Sequence, residues 1–214
     1  HATIRRQRQM CIRDRNGKMD MYENTSQSIN NRVDDLIKRM SLNEKISQLQ
    51  DYSPGIEHLG VKPYLWRNEA LHGVKANTGP LGERCDTCIN QTTVFPQSIG
   101  LASTWNPELV YKEAVAISDE ARALANRIDN YRYLNFWDPM INIARDPRWG
   151  RTQEGYGEDP FLVSQMAVQY IKGLQGNDEK YVKVIASPKH FVANNVDGDR
   201  PVSYTHLTLP TNGC

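Results

Sequence analysis

Residues 159–191 place the strongest constraint on the fold. Asp159-Pro160 supplies a helix N-cap and a first-turn proline. A helix follows over 161–174, with Gly173 and Gly176 near its end. Tyr181-Val182-Lys183-Val184-Ile185 then reads as a short buried strand, and it stops in the polar stretch Pro188, Lys189, His190. A helix that delivers the chain into a new apolar strand is the crossover half of a parallel β-α-β unit.

The same alternation runs upstream. Asn106 and Pro107 open a helix to about Asn126, with Val110, Ala114, Ile117, Ala121 and Leu124 on one side. Tyr133 to Trp137 is strand-like, and Ile141 and Ile143 continue after Pro139. Earlier, Val33, Leu36, Ile37 and Met40 share one helical face, and Ser41 with Glu44 forms a capping box for a second helix through Ile46 and Leu49. YLWRNEALHGV, residues 64–74, reads as a strand end and loop. Residues 75–95 form a long Gly-, Pro-, Thr- and Asn-rich excursion, and residues 96–101 return as an apolar strand or turn. The expectation is an α/β fold with parallel strands, whose polar loops gather at the strand carboxyl ends, where such folds keep their chemistry.

Both ends look foreign to this pattern. RRQRQMCIRD at 5–14 and VSYTHLTLPT at 202–211 resemble translated sequencing adapter in complementary orientations. The expected organisation is an artefactual tail over 1–15, a polar leader over 16–31, one domain over 32–200, and a second artefactual tail over 201–214. Residues 1–15 hold five of the 26 basic and one of the 25 acidic residues. The remainder carries 21 basic and 24 acidic residues, a net charge of −3, which offers no electrostatic footprint for nucleic acid. No apolar run approaches the roughly 20 residues that span a bilayer. Outside the tails the cysteines are Cys85 and Cys88. One C-x-x-C without a second pair points to loop thiols or a local disulfide before a metal-binding module.

Three loops collect chemically capable groups. The first has Trp66, Arg67, Asn68, Glu69 and His72. The second has Arg145, Asp146, Arg148, Trp149, Arg151, Glu154, Glu158 and Asp159. The third has Lys189, His190, Asn194, Asn195, Asp197, Asp199 and Arg200. Carboxylates accept from hydroxyls, Lys and Arg donate to them, and Trp offers a flat apolar face to a sugar ring. This mixture suits a neutral polyhydroxylated ligand better than a phosphate. Structural roles compete: Arg145, Asp146 and Arg148 also read as an ion-pair network under a loop, Trp137 and Trp149 as core, and His72 as a turn residue.

WRNEALHGV, INIARDPRWGRTQEGYGEDP and SPKHFVANN, flanked by LNEKISQLQ and FPQSIGLASTWN, resemble the amino-terminal domain of glycoside hydrolase family 3. The resemblance covers about residues 30–200, and it is the combination in order that makes it specific. It implies an incomplete (β/α)8 barrel from a retaining, exo-acting β-glycosidase of carbohydrate catabolism. The implied substrates are oligosaccharides or aryl β-glycosides, β-xyloside or β-glucoside, with no cofactor and no metal. By similarity Glu69, Arg151, Lys189, His190 and Arg200 bind sugar, with Lys189 and His190 aimed together at one ligand. The family's nucleophile and acid/base fall beyond residue 200, so the chain alone is expected not to turn over substrate. Glu154, Glu158 and Asp159 are left supporting roles: ordering Arg151 or capping a helix. A catalytically silent carbohydrate-binding fragment and a metal-binding module on Cys85 and Cys88 are the alternatives. A full-length protein of this kind is expected to be secreted or periplasmic.

Overall fold

A computed structural model describes residues 19–50, 52–65, 68–75, 91–128, 134–191 and 194–195. The chain divides into two compact units, residues 1–66 and 67–214. Cys85, Cys88, Trp66, Arg67, Asp197, Asp199, Arg200 and both terminal tails lie outside the described residues.

In the first unit, α1 spans Ile29–Arg39 and α2 spans Leu42–Ser47. Ser28 caps α1 by accepting from the Asn31 N–H. Lys38 and Arg39 in its last turn complement the helix dipole. Ser41 and Glu44 form the reciprocal capping box. α2 is shorter than its sequence suggests. It ends at Ser47, because the Ser53 hydroxyl sits 3.3 Å from the carbonyls of Gln48 and Gln50 and draws the chain into β1. β1 (Tyr52–Ser53) pairs antiparallel with β2 (Tyr64–Leu65).

The second unit contains α3 (Ser98–Ala102), α4 (Pro107–Ile128), β3 (Asn135–Phe136), a 3-10 turn (Thr152–Glu154), α5 (Pro160–Gln175) and β4 (Ile185–Ala186). β3 and β4 run parallel, with Asn135 opposite Ile185 and Phe136 opposite Ala186. The sequence reading of an α/β fold with a crossover helix between parallel strands therefore holds. Asn106 accepts from the Leu109 N–H to start α4. Asp159 accepts from Phe161 and Leu162 to start α5. Val110, Ala114, Ile117, Ala121 and Leu124 of α4 are all buried, and they form one core with Phe136, Met166, Tyr170, Leu174 and Val184.

Two expectations need correction. The expected strand or turn at 96–101 is largely helix: α3 covers Ser98–Ala102, because Ser98, Leu101 and Ala102 fall on one inward face at helical spacing. Residues 181–185 are not a fully buried strand. Val184 is buried, but Tyr181, Val182 and Ile185 are exposed. The backbone there is claimed by other partners. Lys183 and Val184 donate to the Gln175 and Leu174 carbonyls at the end of α5, and the Arg122 guanidinium takes the Val182 and Lys183 carbonyls. Only Ile185 and Ala186 remain to pair with β3. Within the described part of the strand-like run at 133–137, β3 covers Asn135 and Phe136.

α4 and α5 pack closely because Gly173 has no side chain. A Cβ there would lie 2.6 Å from both the Ala114 Cβ and the Tyr111 carbonyl oxygen. The Ser118 hydroxyl bridges the same contact, 3.1 Å from the Gly173 carbonyl oxygen. Gly173→Ala should therefore lower unfolding free energy by about 1–3 kcal/mol, read by urea denaturation. Gly100→Ala, which meets open space in α3, should leave stability unchanged or slightly higher. Equal effects of the two changes would contradict the close-packing account.

Candidate functional site

The site lies in the second unit, where the residues after β3 and β4 meet the 68–75 loop. β3 leads into Asp138-Pro139, a cis peptide, and β4 leads into Lys189-His190, also cis. The two segments continue the parallel register beyond the strands: Lys189 N–H donates to Pro139 O at 3.0 Å, and Ile141 N–H donates back to Lys189 O at 2.7 Å. The 68–75 loop is fastened to the same end. Trp137 N–H donates to Asn68 O, Ala70 N–H donates to the Asp138 carboxylate at 2.6 Å, and the buried Tyr170 hydroxyl donates to Ala70 O at 2.6 Å. Gly73 turns this loop back with φ 122°, and an added Cβ would strike the Thr93 carbonyl oxygen.

Beside these fastenings lies an open cavity of about 490 Å³. Its charged walls are Glu69, Lys75, Asp138, Arg151, Glu154 and Lys189, with Gln97 and Gln153 beside them. Lys189 is 7% exposed. Its ammonium lies 3.4 Å from Glu69 Oε1 and 4.0 Å from Asp138 Oδ1. Arg151 makes a bidentate pair with Glu154, at 2.8 and 2.6 Å. That geometry holds the guanidinium plane fixed.

Burial pushes the Glu69 carboxyl up, but Lys189, Lys75 and Arg151 outweigh it and hold the group below the usual glutamate range. Glu69 is therefore an anion at neutral pH. Asp138 is different. Burial drives its carboxyl up to about 7, against the pull of Lys189 and the Ala70 N–H. Asp146 pairs with Arg148 on the exposed surface and does not line the cavity, which assigns that pair the structural role.

Of the residues singled out in the sequence, Glu69, Arg151 and Lys189 come together on one cavity, with His72 and Glu154. His190 stands beside Arg151 rather than on the cavity wall, its Nε2 3.4 Å from Arg151 Nη1. Glu154 orders Arg151, and Asp159 caps α5. Trp149 is buried. Sequence reasoning missed Asp138, Lys75 and Asn142. Asp138 carried one usable signal: it closely follows an apolar strand, as Lys189 does after β4.

Asn142 fixes the imidazole of His190. Its amide nitrogen donates to Asn194 O at 3.0 Å, so its oxygen faces His190 and accepts from the His190 backbone N–H at 3.0 Å. The ring Nδ1 lies 2.9 Å from the same oxygen and must carry a hydrogen to bond there. Nε2 then turns its lone pair toward the Arg151 guanidinium. Long-range proton–nitrogen NMR should find Nδ1 protonated and Nε2 pyridine-like at neutral pH, and Asn142→Ala should erase that preference. A wild-type Nε2–H tautomer would contradict the assignment.

Donors and anionic acceptors thus alternate around one cavity. The arrangement carries both hydrogen-bond donors and anionic acceptors, with no excess of either sign. Among the described residues no group of three or more His, Cys, Asp or Glu side chains is placed to hold a metal ion, and no helix is long and apolar enough to cross a membrane.

Comparison with known proteins supplies a lineage. The model for the glycosyl hydrolase family 3 N terminal domain matches residues 30–211. A xylan 1,4-beta-xylosidase of Xylanibacter ruminicola is 42% identical over 183 residues, covering 81% of this chain and 20% of its own. Beta-D-xylosidase 3 of Arabidopsis thaliana is 44% identical over 183 residues, covering 84% and 23%. Among solved structures, a family 3 exo-beta-xylosidase in complex with a xylobiose aziridine activity-based probe superposes with a TM-score of 0.67 at 29% identity, covering 81% of this chain and 22% of that one. Beta-glucosidase 3B from Thermotoga neapolitana, in complex with alpha-D-glucose, gives 0.61 at 28% identity, covering 77% and 24%. The chain thus spans about a fifth to a quarter of the length of these relatives.

Proposed function

The chain belongs to glycosyl hydrolase family 3, and from that premise we propose that its cavity holds the terminal sugar of a β-linked glycoside for an exo-acting, retaining β-glycosidase. Its fold is part of a (β/α)8 barrel. A β-xyloside is the favoured substrate, since relatives named xylosidases reach 42–44% identity. A β-glucoside is the nearest competitor, through the glucose-bound structure. The observation that carries the reading is the buried Lys189 ammonium shared between Glu69 and Asp138, with the Arg151–Glu154 pair on the same cavity.

Five residues divide the work. Glu69 accepts from two neighbouring sugar hydroxyls. Lys189 and Arg151 donate to hydroxyl oxygens. His190 contributes beside Arg151, which it backs at 3.4 Å. Arg200 joins this set by its place in the sequence.

A retaining glycosidase also needs a nucleophile and an acid/base about 5–5.5 Å apart. Among the described residues, each cavity carboxylate is engaged otherwise. Glu69 faces Lys189 and Lys75, Glu154 is bidentate to Arg151, and Asp138 Oδ2 accepts from Ala70. Glu69 meets the sugar, Glu154 and Asp138 hold the groups around it, and the covalent step needs other carboxylates.

Titration of the 214-residue chain with D-xylose, followed by ligand-observed NMR, should show saturable binding. Lys189→Ala and Arg151→Ala should each weaken it at least about tenfold, since one charged hydrogen bond contributes roughly 1.5–3 kcal/mol. An aryl β-xyloside should bind without turnover. Absence of saturable binding to both xylose and glucose would overturn the sugar-site reading. Turnover lost on Glu154→Gln would overturn the assignment of Glu154 to support.

A further inference from the structure

Asp138 is fully buried, yet it lines the cavity. Its two oxygens differ. Oδ2 accepts the Ala70 N–H at 2.6 Å. Oδ1 has no hydrogen-bond partner among the described residues and lies 4.0 Å from the Lys189 ammonium. The same ammonium is 3.4 Å from Glu69 Oε1. Charge-assisted N–H···O bonds settle near about 2.7–2.9 Å. Lys189 therefore sits between two carboxylates and is tightly bonded to neither. A buried acceptor left without a donor is costly, and a shift of Lys189 by about 1 Å would satisfy it.

We infer that Asp138 is a positioning residue for sugar binding: when ionised it draws the Lys189 ammonium away from Glu69, which releases the Glu69 carboxylate to sugar hydroxyls. When protonated it leaves Lys189 with Glu69. The inference rests on reading the cavity as a sugar site. It makes sugar affinity a function of one proton, through a lysine that has two carboxylates to choose between.

The groups facing Asp138 fix the direction. Lys189 comes from the segment after β4, Glu69 and Ala70 from the 68–75 loop, and Glu154 from the 3-10 turn; Tyr156 and Tyr170 face it as well. Burial pushes both phenols well above their usual range, so they stay neutral. Arg151 is held by Glu154. For Asp138 itself, burial raises the carboxyl to about 7, Lys189 and the Ala70 N–H pull it down, and Glu69 and Glu154 push it up. It is protonated below that value and ionised above. Sugar affinity should therefore rise as pH rises through about 7. Linkage is reciprocal, so bound sugar must lower the titration midpoint of Asp138 by the same factor.

The test uses the full 214-residue chain and D-xylose. The Ala70 amide, bonded to Asp138, reports its ionisation. It should titrate with one midpoint near 7, and Asp138→Asn, which keeps an acceptor for Ala70, should abolish the titration. Xylose should bind at least about fivefold tighter above the midpoint than below it. It should move the Ala70 midpoint downward, and Asp138→Asn should flatten the profile. If Asp138→Asn fails to fold, Lys189→Met serves without sugar: it should move the Ala70 midpoint upward. A flat Ala70 titration, or an unmoved midpoint in Lys189→Met, overturns the inference. Xylose binding with pH-independent affinity overturns it while leaving the sugar site intact. No xylose or glucose binding at any pH overturns both.

Discussion

The second unit is organised around an ammonium group taken almost wholly out of water. An unpaired buried charge costs several kcal/mol, and breaking its pairing exposes that cost. Lys189 therefore requires anions from elsewhere in the chain. Glu69 comes from 120 residues away in sequence, and Asp138 from the adjoining strand end. Supplying them fixes three segments at once. The Asp138 carboxylate fastens the 68–75 loop through Ala70, and the Lys189 backbone is threaded between Pro139 and Ile141. The cation, the loop and the parallel pair β3–β4 form one cooperative arrangement, so a change to any of them is felt by the others.

The close helix pair α4–α5 is the frame behind it. Tyr170 of α5 donates to Ala70, so the helix that crosses between the strands also holds the loop carrying Glu69. Arg151 is set by a separate local device, the bidentate Glu154 pair within one 3-10 turn. The cavity combines one long-range anchor with one short-range anchor. The bidentate pair leaves the Arg151 side chain little freedom, which lowers the entropy cost of gripping a small polar ligand, whereas Lys189 keeps a choice between two carboxylates.

Local chemistry was what the sequence made legible. The caps at Ser41–Glu44, Asn106 and Asp159 act within a few residues, and all three start helices where expected. α3 was misread because a five-residue helix owes its existence to burial of Ser98, Leu101 and Ala102 rather than to propensity. β4 is shorter than the apolar run 181–185 predicts, because Arg122 and the end of α5 claim the backbone of Val182, Lys183 and Val184. In the site, Glu69, Arg151 and Lys189 stood out through their motifs. Asp138 did not, since its meaning depends on Ala70, 68 residues away, and on a lysine from another strand. Arg200 lies outside the described residues.

The most direct test is a crystal structure of this chain with D-xylose. The account predicts one sugar ring in the cavity after β3 and β4, with hydroxyls within hydrogen-bond distance of the Lys189 ammonium, the Glu69 carboxylate and the Arg151 guanidinium. A sugar bound elsewhere, or a cavity that excludes xylose while Lys189 and Glu69 keep their pairing, would contradict it.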